Sequence, residues 1–107
     1  MIKVGGRQIF PAEVEHAVSR FPGVLENAVI PVTNEHGLTE LHAFIVLKEG
    51  HLPSPELASQ IQDFVKKELA PFKRPHAVKF VSELPKTGTG KIQRYRLRDE
   101  VQGPKKG

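Results

Sequence analysis

A short run of small residues around one lysine is the part of this sequence best suited to chemistry. Residues 84–94 read LPKTGTGKIQR, in which glycines and threonines alternate up to Lys91. Because these side chains are small and glycine reaches backbone conformations that other residues avoid, the run predicts a flexible loop. A lysine ammonium is a compact charge with three donors on a long stem. Such a loop could therefore carry it to the phosphate or carboxylate oxygens of a ligand.

The sequence of this loop allows two other interpretations. A run of Gly, Thr and Lys is most often a solvated loop with no further role. The run also resembles a phosphate-binding P-loop, G-x-x-x-x-G-K-[ST]. That pattern fails, because Pro85 stands where the first glycine belongs and Ile92 where Ser or Thr is required. The P-loop interpretation is therefore rejected.

The elements around the loop predict one small α+β domain. Residues 1–102 are expected to form it, and residues 103–107 a disordered basic tail. A hairpin around Gly5 and Gly6 is expected to precede a three-stranded sheet with about three helices packed on it. The order is β-β-α-β-β-α-β-α, with strands or hairpin arms in residues 2–10, 24–32, 39–48 and 77–81, and helices in residues 11–20, from 55 onward, and 93–101.

Several details follow from local patterns. Ser54 is expected to cap the second helix, with Gln62 on its outer face and Lys66 favoured by the helix dipole. Glu13 and Glu15 are interpreted as acids that stabilise the first helix by lying near the positive, N-terminal end of its dipole. The alternative is that they are catalytic carboxylates. Prolines at 71 and 75 predict an extended connection into the third strand of the sheet.

Composition excludes several classes of site. The sequence has no cysteine, which excludes disulfides and thiolate metal sites, and its five histidines lack paired ligand spacing. We therefore expect no metal site. No apolar run approaches the roughly 20 residues needed to span a bilayer. A cytoplasmic protein without a membrane partner is expected.

Three separate blocks resemble one family. Residues 84–94 resemble the C-terminal lysine motif P-K-T-x-x-G-K of the AMP-forming acyl-CoA synthetases, within the adenylate-forming superfamily. The run IKVGG at residues 2–6, with Ile9 and PAEVE at residues 11–15, is similar to the family's I-K-x-x-G-x-x-I-x-P-x-E-V-E segment. LAPFKRP at residues 69–75 is similar to its L-A-x-[YF]-K-x-P segment. The sequences of residues 3–15 and 69–98 also resemble those of aryl-CoA ligases of the benzoate type.

The resemblance implies a role for each matching residue. Lys91 would be the lysine that acts when a carboxylic acid attacks ATP to give an acyl-adenylate. Gly6 would help line the pantetheine tunnel when coenzyme A displaces AMP, with Gly5 in the same cofactor-binding turn, and Lys66 would lie near a phosphate of coenzyme A. The loop itself would be supported by Lys86, Thr87, Gly88 and Gly90. Many relatives read G-x-R where this chain reads Gly6-Arg7-Gln8, so the family's nucleotide contact is not assigned to Arg7 and its role stays open.

The resemblance also implies partners. A large N-terminal domain would supply the phosphate loop, the adenine site and the acyl pocket, and would bind most of the Mg²⁺ that accompanies ATP. The family's hinge residue is expected immediately before Met1, so the chain is expected to be a fragment or split subunit that is inactive alone.

The charge distribution agrees with a phosphate-bearing partner. Sixteen Lys and Arg oppose twelve acids, for a formal net charge of +4, and the excess lies in the second half of the chain. ATP and coenzyme A account for this charge. The open alternatives are a carrier protein as acyl acceptor, or a small module that binds nucleic acid. One Tyr, six Phe and no Trp, without basic and aromatic residues interleaved, disfavour specific nucleic-acid binding.

Overall fold

The structure is a computed structural model that describes the backbone of residues 2–4 and 7–102 and the side chains of residues 9–101. Its elements follow the predicted order, and a short 3-10 helix, Pro71–Lys73, is added before the last strand. The strands and helices are β1 (Ile2–Val4), β2 (Arg7–Ile9), α1 (Pro11–Ser19), β3 (Val24–Thr33), β4 (Thr39–Leu47), α2 (Pro55–Glu68), β5 (Ala77–Phe80) and α3 (Arg94–Gln102).

A three-stranded mixed sheet forms the centre of the fold. The strand order is β3-β4-β5, with β3 antiparallel and β5 parallel to β4. The β3–β4 hairpin turns at Asn34, whose side-chain oxygen accepts the backbone N–H groups of His36 and Leu38. A side-chain acceptor in this place closes the turn. The predicted α+β class is confirmed.

Both faces of this sheet are covered by other elements. Since alternate residues of a strand point to opposite sides, each strand contributes side chains to both cores. On β4, Leu41, Ala43 and Ile45 belong to a core shared with α1 and α2. Phe44 and Val46 belong to a second core on the opposite face, which includes Leu84 and Leu97 of the lysine-loop segment and α3. The lysine loop therefore starts and ends on segments anchored in the second core.

Helix α2 begins where the sequence predicts. Ser54 Oγ accepts the N–H of Leu57 at 3.0 Å, and Pro55 opens the helix. The prediction for Gln62 was wrong, because its side chain is half-buried and donates to the carbonyl of Pro75 at 2.9 Å. Helical periodicity alone assigned it to the outer face, but the segment that follows α2 folds back over it.

The connection from α2 to β5 also differs from the prediction. The sequence predicted an extended connection, whereas Pro71–Lys73 forms a 3-10 turn closed by Lys73 N–H to the carbonyl of Ala70 at 3.0 Å. Proline at the first position of a helical turn loses no hydrogen bond, because its missing N–H would be unpaired there. Pro75 then leads into β5, with its side chain fully buried.

The N-terminal hairpin is present as two antiparallel strands, with Ile2 opposite Ile9 and Val4 opposite Arg7. Gly5 and Gly6, and the tail at residues 103–107, lie outside the described residues. Within the part of the chain that the structure describes, no helix combines the length and apolar character needed to cross a membrane.

Candidate functional site

The lysine loop is a closed hairpin. Lys86 and Ile92 form an antiparallel bridge, the N–H of Thr87 donates to the carbonyl of Lys91 at 2.8 Å, and the N–H of Gly90 donates to the carbonyl of Thr87 at 2.9 Å. We call residues 86–92 the lysine hairpin. The sequence predicted a pliable loop, but these backbone bonds give it a defined shape.

Thr87 organises the tip of the lysine hairpin. Its hydroxyl oxygen accepts the N–H of Lys91 at 3.1 Å and lies 2.9 Å from the hydroxyl oxygen of Thr89. Gly90 has a φ of +88°, a conformation that residues with a side chain rarely adopt. At Gly88 an added Cβ would meet no atom within 4 Å among the described residues. The threonine and Gly90 therefore shape the turn that presents Lys91.

The Lys91 side chain is exposed, and its ammonium has no hydrogen-bond or ion-pair partner among residues 9–101. The neighbouring Lys86, by contrast, pairs with Glu26. Burial in the chain's own core would have ruled out a role for Lys91 towards a ligand. The structure instead leaves this charge available to an anion.

Two ion pairs fasten the base of the lysine hairpin. On one side, Lys86 Nζ lies 2.8 Å from a carboxylate oxygen of Glu26 in β3. On the other side, Arg94 donates to Glu15 of α1 at 2.6 Å. Between them, the N–H of Gln93 donates to the carbonyl of Pro85 at 2.8 Å. The base is thus bound both to itself and to two different elements of the domain.

The acids of α1 do more than the sequence interpretation assigned to them. Glu15 lies beyond the first helical turn, and its second carboxylate oxygen accepts the N–H of Val29 at 2.9 Å. Glu13 lies in the first turn and pairs with Lys73. These partners are 14 to 79 residues away along the chain, so helical periodicity could not reveal them. The available signal was that Glu13, Glu15 and Lys73 all lie in blocks that resemble one family.

The remaining predicted site residues lie apart from the lysine hairpin or outside the description. Lys66 is exposed in the last turn of α2, a helix that packs against α1 and β5. No hydrogen bond or ion pair joins it to the lysine hairpin among residues 9–101. Gly5 and Gly6 fall outside the described residues, so their predicted role stays a prediction.

Glu40 and His76, whose pKa values are shifted, belong to a polar cluster where the β3–β4 turn meets the residue before β5. Hydrogen bonds, first from Asn34 and then from His42, lower the pKa of Glu40. Burial lowers the pKa of His76, whose Nδ1 accepts the N–H of Leu41 at 3.0 Å. No group of three or more His, Asp or Glu residues within the described part of the chain is arranged to hold a metal. The hydrogen bonds of this cluster join the β3–β4 turn and the start of β4 to His76, the residue before β5.

Comparison with known proteins identifies the domain. Residues 13–91 match the family described as the AMP-binding enzyme C-terminal domain. The benzoate–CoA ligase of Thauera aromatica is 46% identical over 98 residues, covering 92% of this chain and 19% of that protein. The 4-hydroxybutyrate–CoA ligase 1 of Metallosphaera sedula is 44% identical over 108 residues, covering 100% and 19%.

A solved structure agrees with these relatives. The anthranilate CoA ligase in complex with anthranoyl-AMP superposes with a TM-score of 0.84 at 46% identity, covering 94% of this chain and 19% of that one. The chain thus spans about a fifth of the length of the relatives it matches. The matched span contains Lys91 and Glu15 of the candidate site, and also the Glu13–Lys73 ion pair. The chain belongs to the AMP-binding enzyme C-terminal domain family.

Proposed function

We propose that the chain is the C-terminal domain of an AMP-forming acyl-CoA synthetase. The overall reaction converts a carboxylic acid, ATP and coenzyme A into acyl-CoA, AMP and pyrophosphate. In the first step a carboxylate oxygen attacks the α-phosphorus of ATP and pyrophosphate leaves. In the second step the thiol of coenzyme A attacks the acyl carbon, and AMP leaves. Neither the family match nor the named relatives support the carrier-protein or nucleic-acid alternatives.

The observation that supports this proposal most directly is the exposed Lys91 ammonium, which has no partner among residues 9–101, on its fastened hairpin. The first step brings a carboxylate against a polyphosphate, and these two anions repel each other. A positioned cation offsets the repulsion and stabilises the negative charge of the transition state. Because the hairpin is already shaped by its own hydrogen bonds, little reorganisation is needed when the charge arrives.

The second step would use other parts of the chain. In this proposal the domain rotates relative to a larger N-terminal domain, so that Lys91 withdraws and the turn at Gly5 and Gly6 approaches the pantetheine arm. Lys66 would meet a phosphate of coenzyme A, and its exposure on α2 is compatible with that role. The N-terminal domain would carry the acyl pocket. Relatives named for an aryl acid and for an aliphatic acid both share this domain, which covers only about a fifth of their length, so the rest of the protein would select the acid.

Among the described residues, no group of three or more acids and histidines is arranged to hold a metal ion. Any Mg²⁺ would arrive with ATP and be held mainly by the N-terminal domain. A cytoplasmic location is part of this proposal, and the sequence, which has no cysteine, contains no disulfide that would need an oxidising compartment.

Replacing Lys91 tests the proposal. In the parent enzyme, where this chain is joined to its adenylating domain, Lys91→Ala is expected to slow acyl-adenylate formation about 10²- to 10³-fold, the usual loss for one preorganised donor. Thioester formation from preformed acyl-adenylate should survive. The two half-reactions are measured separately, by acid-dependent pyrophosphate exchange and by consumption of added acyl-adenylate.

Lys79→Ala is the matched control, because Lys79 is an exposed lysine of β5 without a partner among residues 9–101. It should leave both half-reactions within about twofold of the parent enzyme, as expected for a surface change away from the site. Equal loss of both half-reactions in Lys91→Ala would contradict the assigned role. A parent enzyme that forms no acyl-adenylate would contradict the proposed function.

A further inference from the structure

We propose that Glu15 is a positioning residue for Lys91 and acts through Arg94. This inference rests on the proposed function, because it concerns the delivery of the Lys91 ammonium to the first step. The lysine hairpin is fastened on both sides of its base, to β3 through the Lys86–Glu26 pair and to α1 through the bond from Arg94 to Glu15.

Glu15 is itself well fixed. One carboxylate oxygen accepts from Arg94 at 2.6 Å, the other accepts the N–H of Val29 at 2.9 Å, and its backbone carbonyl accepts the side-chain amide of Asn27 at 3.2 Å. Its side chain is 22% exposed, and that of Arg94 is 43% exposed. Hydrogen bonds that involve a charged partner are shorter and stronger than neutral ones, and partial burial reduces screening by solvent. Glu15 therefore offers Arg94 a rigid anchor.

Arg94 is close enough in sequence to control the hairpin. It follows Gln93, whose N–H closes the base on Pro85, and it lies three residues after Lys91. Packing of Leu84 and Leu97 holds the segments before and after the hairpin, but with the Lys86 ion pair alone the hairpin could still pivot about its base. Two attachments on different elements, α1 and β3, restrict that pivot. The direction in which Lys91 points is thus tied to α1.

This arrangement matters for catalysis because a charge acts on the transition state only from the correct place. Misplacement of a reacting or stabilising group by about 1 Å can cost on the order of 100-fold in rate. Glu15 touches neither the substrate nor the nucleotide in this account. Its effect is to hold the backbone from which Lys91 extends.

The first test measures the hairpin directly in the 107-residue chain. Glu15→Gln keeps an oxygen that can accept the Val29 N–H but removes the charge that binds Arg94. In this variant, amide hydrogen exchange at Thr87, Gly90 and Lys91, followed by NMR, should accelerate about two- to fivefold. Amides of the sheet core should exchange at the unchanged rate.

Two further variants sharpen this test. Arg94→Gln should produce the same acceleration, and Arg94→Lys, which keeps the charge, should restore most of the protection. Glu68→Gln is the matched control, because it breaks an ion pair of similar length, 2.8 Å to Arg20, away from the lysine hairpin. Unchanged exchange in the hairpin of Glu15→Gln, or equal acceleration in Glu68→Gln, would overturn the inference.

The second test measures the consequence in the parent enzyme. Glu15→Gln should lower kcat for acyl-adenylate formation about tenfold, with unchanged KM for ATP and unchanged thioester formation from added acyl-adenylate. A general loss of stability would lower both half-reactions together and would contradict a positioning role. If the unmodified parent enzyme forms no acyl-adenylate, the proposed function fails, while the exchange measurement still decides whether Glu15 holds the hairpin.

Discussion

The stability of the fold depends on the protonation state of the His76 ring. Its ring Nδ1 accepts the N–H of Leu41 at 3.0 Å, and its own backbone N–H donates to the carbonyl of Leu41 at 2.8 Å. The ring can accept at Nδ1 only when that nitrogen carries no proton. Burial and this bond therefore both favour the neutral ring, in agreement with the lowered pKa of His76.

The lowered pKa of His76 predicts a loss of stability in mild acid. Because the folded state binds the proton less readily than the unfolded chain, the stabilising contribution is fully present above about pH 6.5 and is lost as the pH falls through the lower folded pKa. Melting temperatures between pH 7.5 and 5 should fall more steeply for the native protein than for His76→Asn. Asparagine retains an acceptor for the Leu41 N–H but does not titrate.

The range stops at pH 5 to separate His76 from Glu40. The pKa of Glu40 is lowered by hydrogen bonds from Asn34 and His42, so its contribution is present above about pH 4.5 and is lost below that. Identical pH slopes for the native protein and His76→Asn would show that His76 does not carry the effect.

Helix α2 illustrates how one local bond defines an element. Its first turn is closed by Ser54 Oγ, which accepts the N–H of Leu57, and Pro55 follows with the backbone angle a helix requires. This helix carries Ile61 and Val65 into the first core. The Ser54 cap therefore fixes the start of the helix whose apolar face packs into the first core.

Removing this cap should destabilise the domain. Ser54→Ala is expected to lower the free energy of unfolding by about 1 kcal/mol, because the Leu57 N–H loses its acceptor. Urea denaturation measures the change. Ser59→Ala, the same substitution at an exposed interior position of α2, should cost nothing or stabilise slightly, since alanine favours helix more than serine. Equal losses in the two variants would contradict the capping role.

The whole molecule depends on helices covering both faces of a thin sheet. Helices α1 and α2 cover one face, and α3 with the segment before the lysine hairpin covers the other through Leu97 and Leu84. The lysine hairpin lies between two residues buried in the same core. Packing on that face therefore also limits how far the hairpin can move.

Truncating Leu97 tests this dependence. Leu97→Ala should lower the free energy of unfolding by about 2–5 kcal/mol, because Leu97 is fully buried against the sheet. Arg98→Ala, at the exposed neighbouring position of α3, should change it by less than about 0.5 kcal/mol. Both are measured by urea denaturation. A small effect of Leu97→Ala would mean that α3 contributes little to the second core.

The sequence by itself determined the order of elements, the α+β class, the Ser54 cap and the β3–β4 turn. These features depend on local patterns such as alternation, helical periodicity, caps and turn residues, which act over a few neighbouring positions. It also singled out Lys91, because the lysine motif is contiguous. The family resemblance came from three blocks, each of which is a short contiguous segment of the sequence.

Only the tertiary structure decided how those blocks meet. It bound Glu15 to Arg94 across 79 residues and Glu13 to Lys73 across 60, and it turned the predicted pliable loop into a fastened hairpin. It also buried part of Gln62 under the segment after α2 and folded Pro71–Lys73 into a helical turn. Pairings of this kind depend on where distant segments lie in space, which no local pattern of residues records.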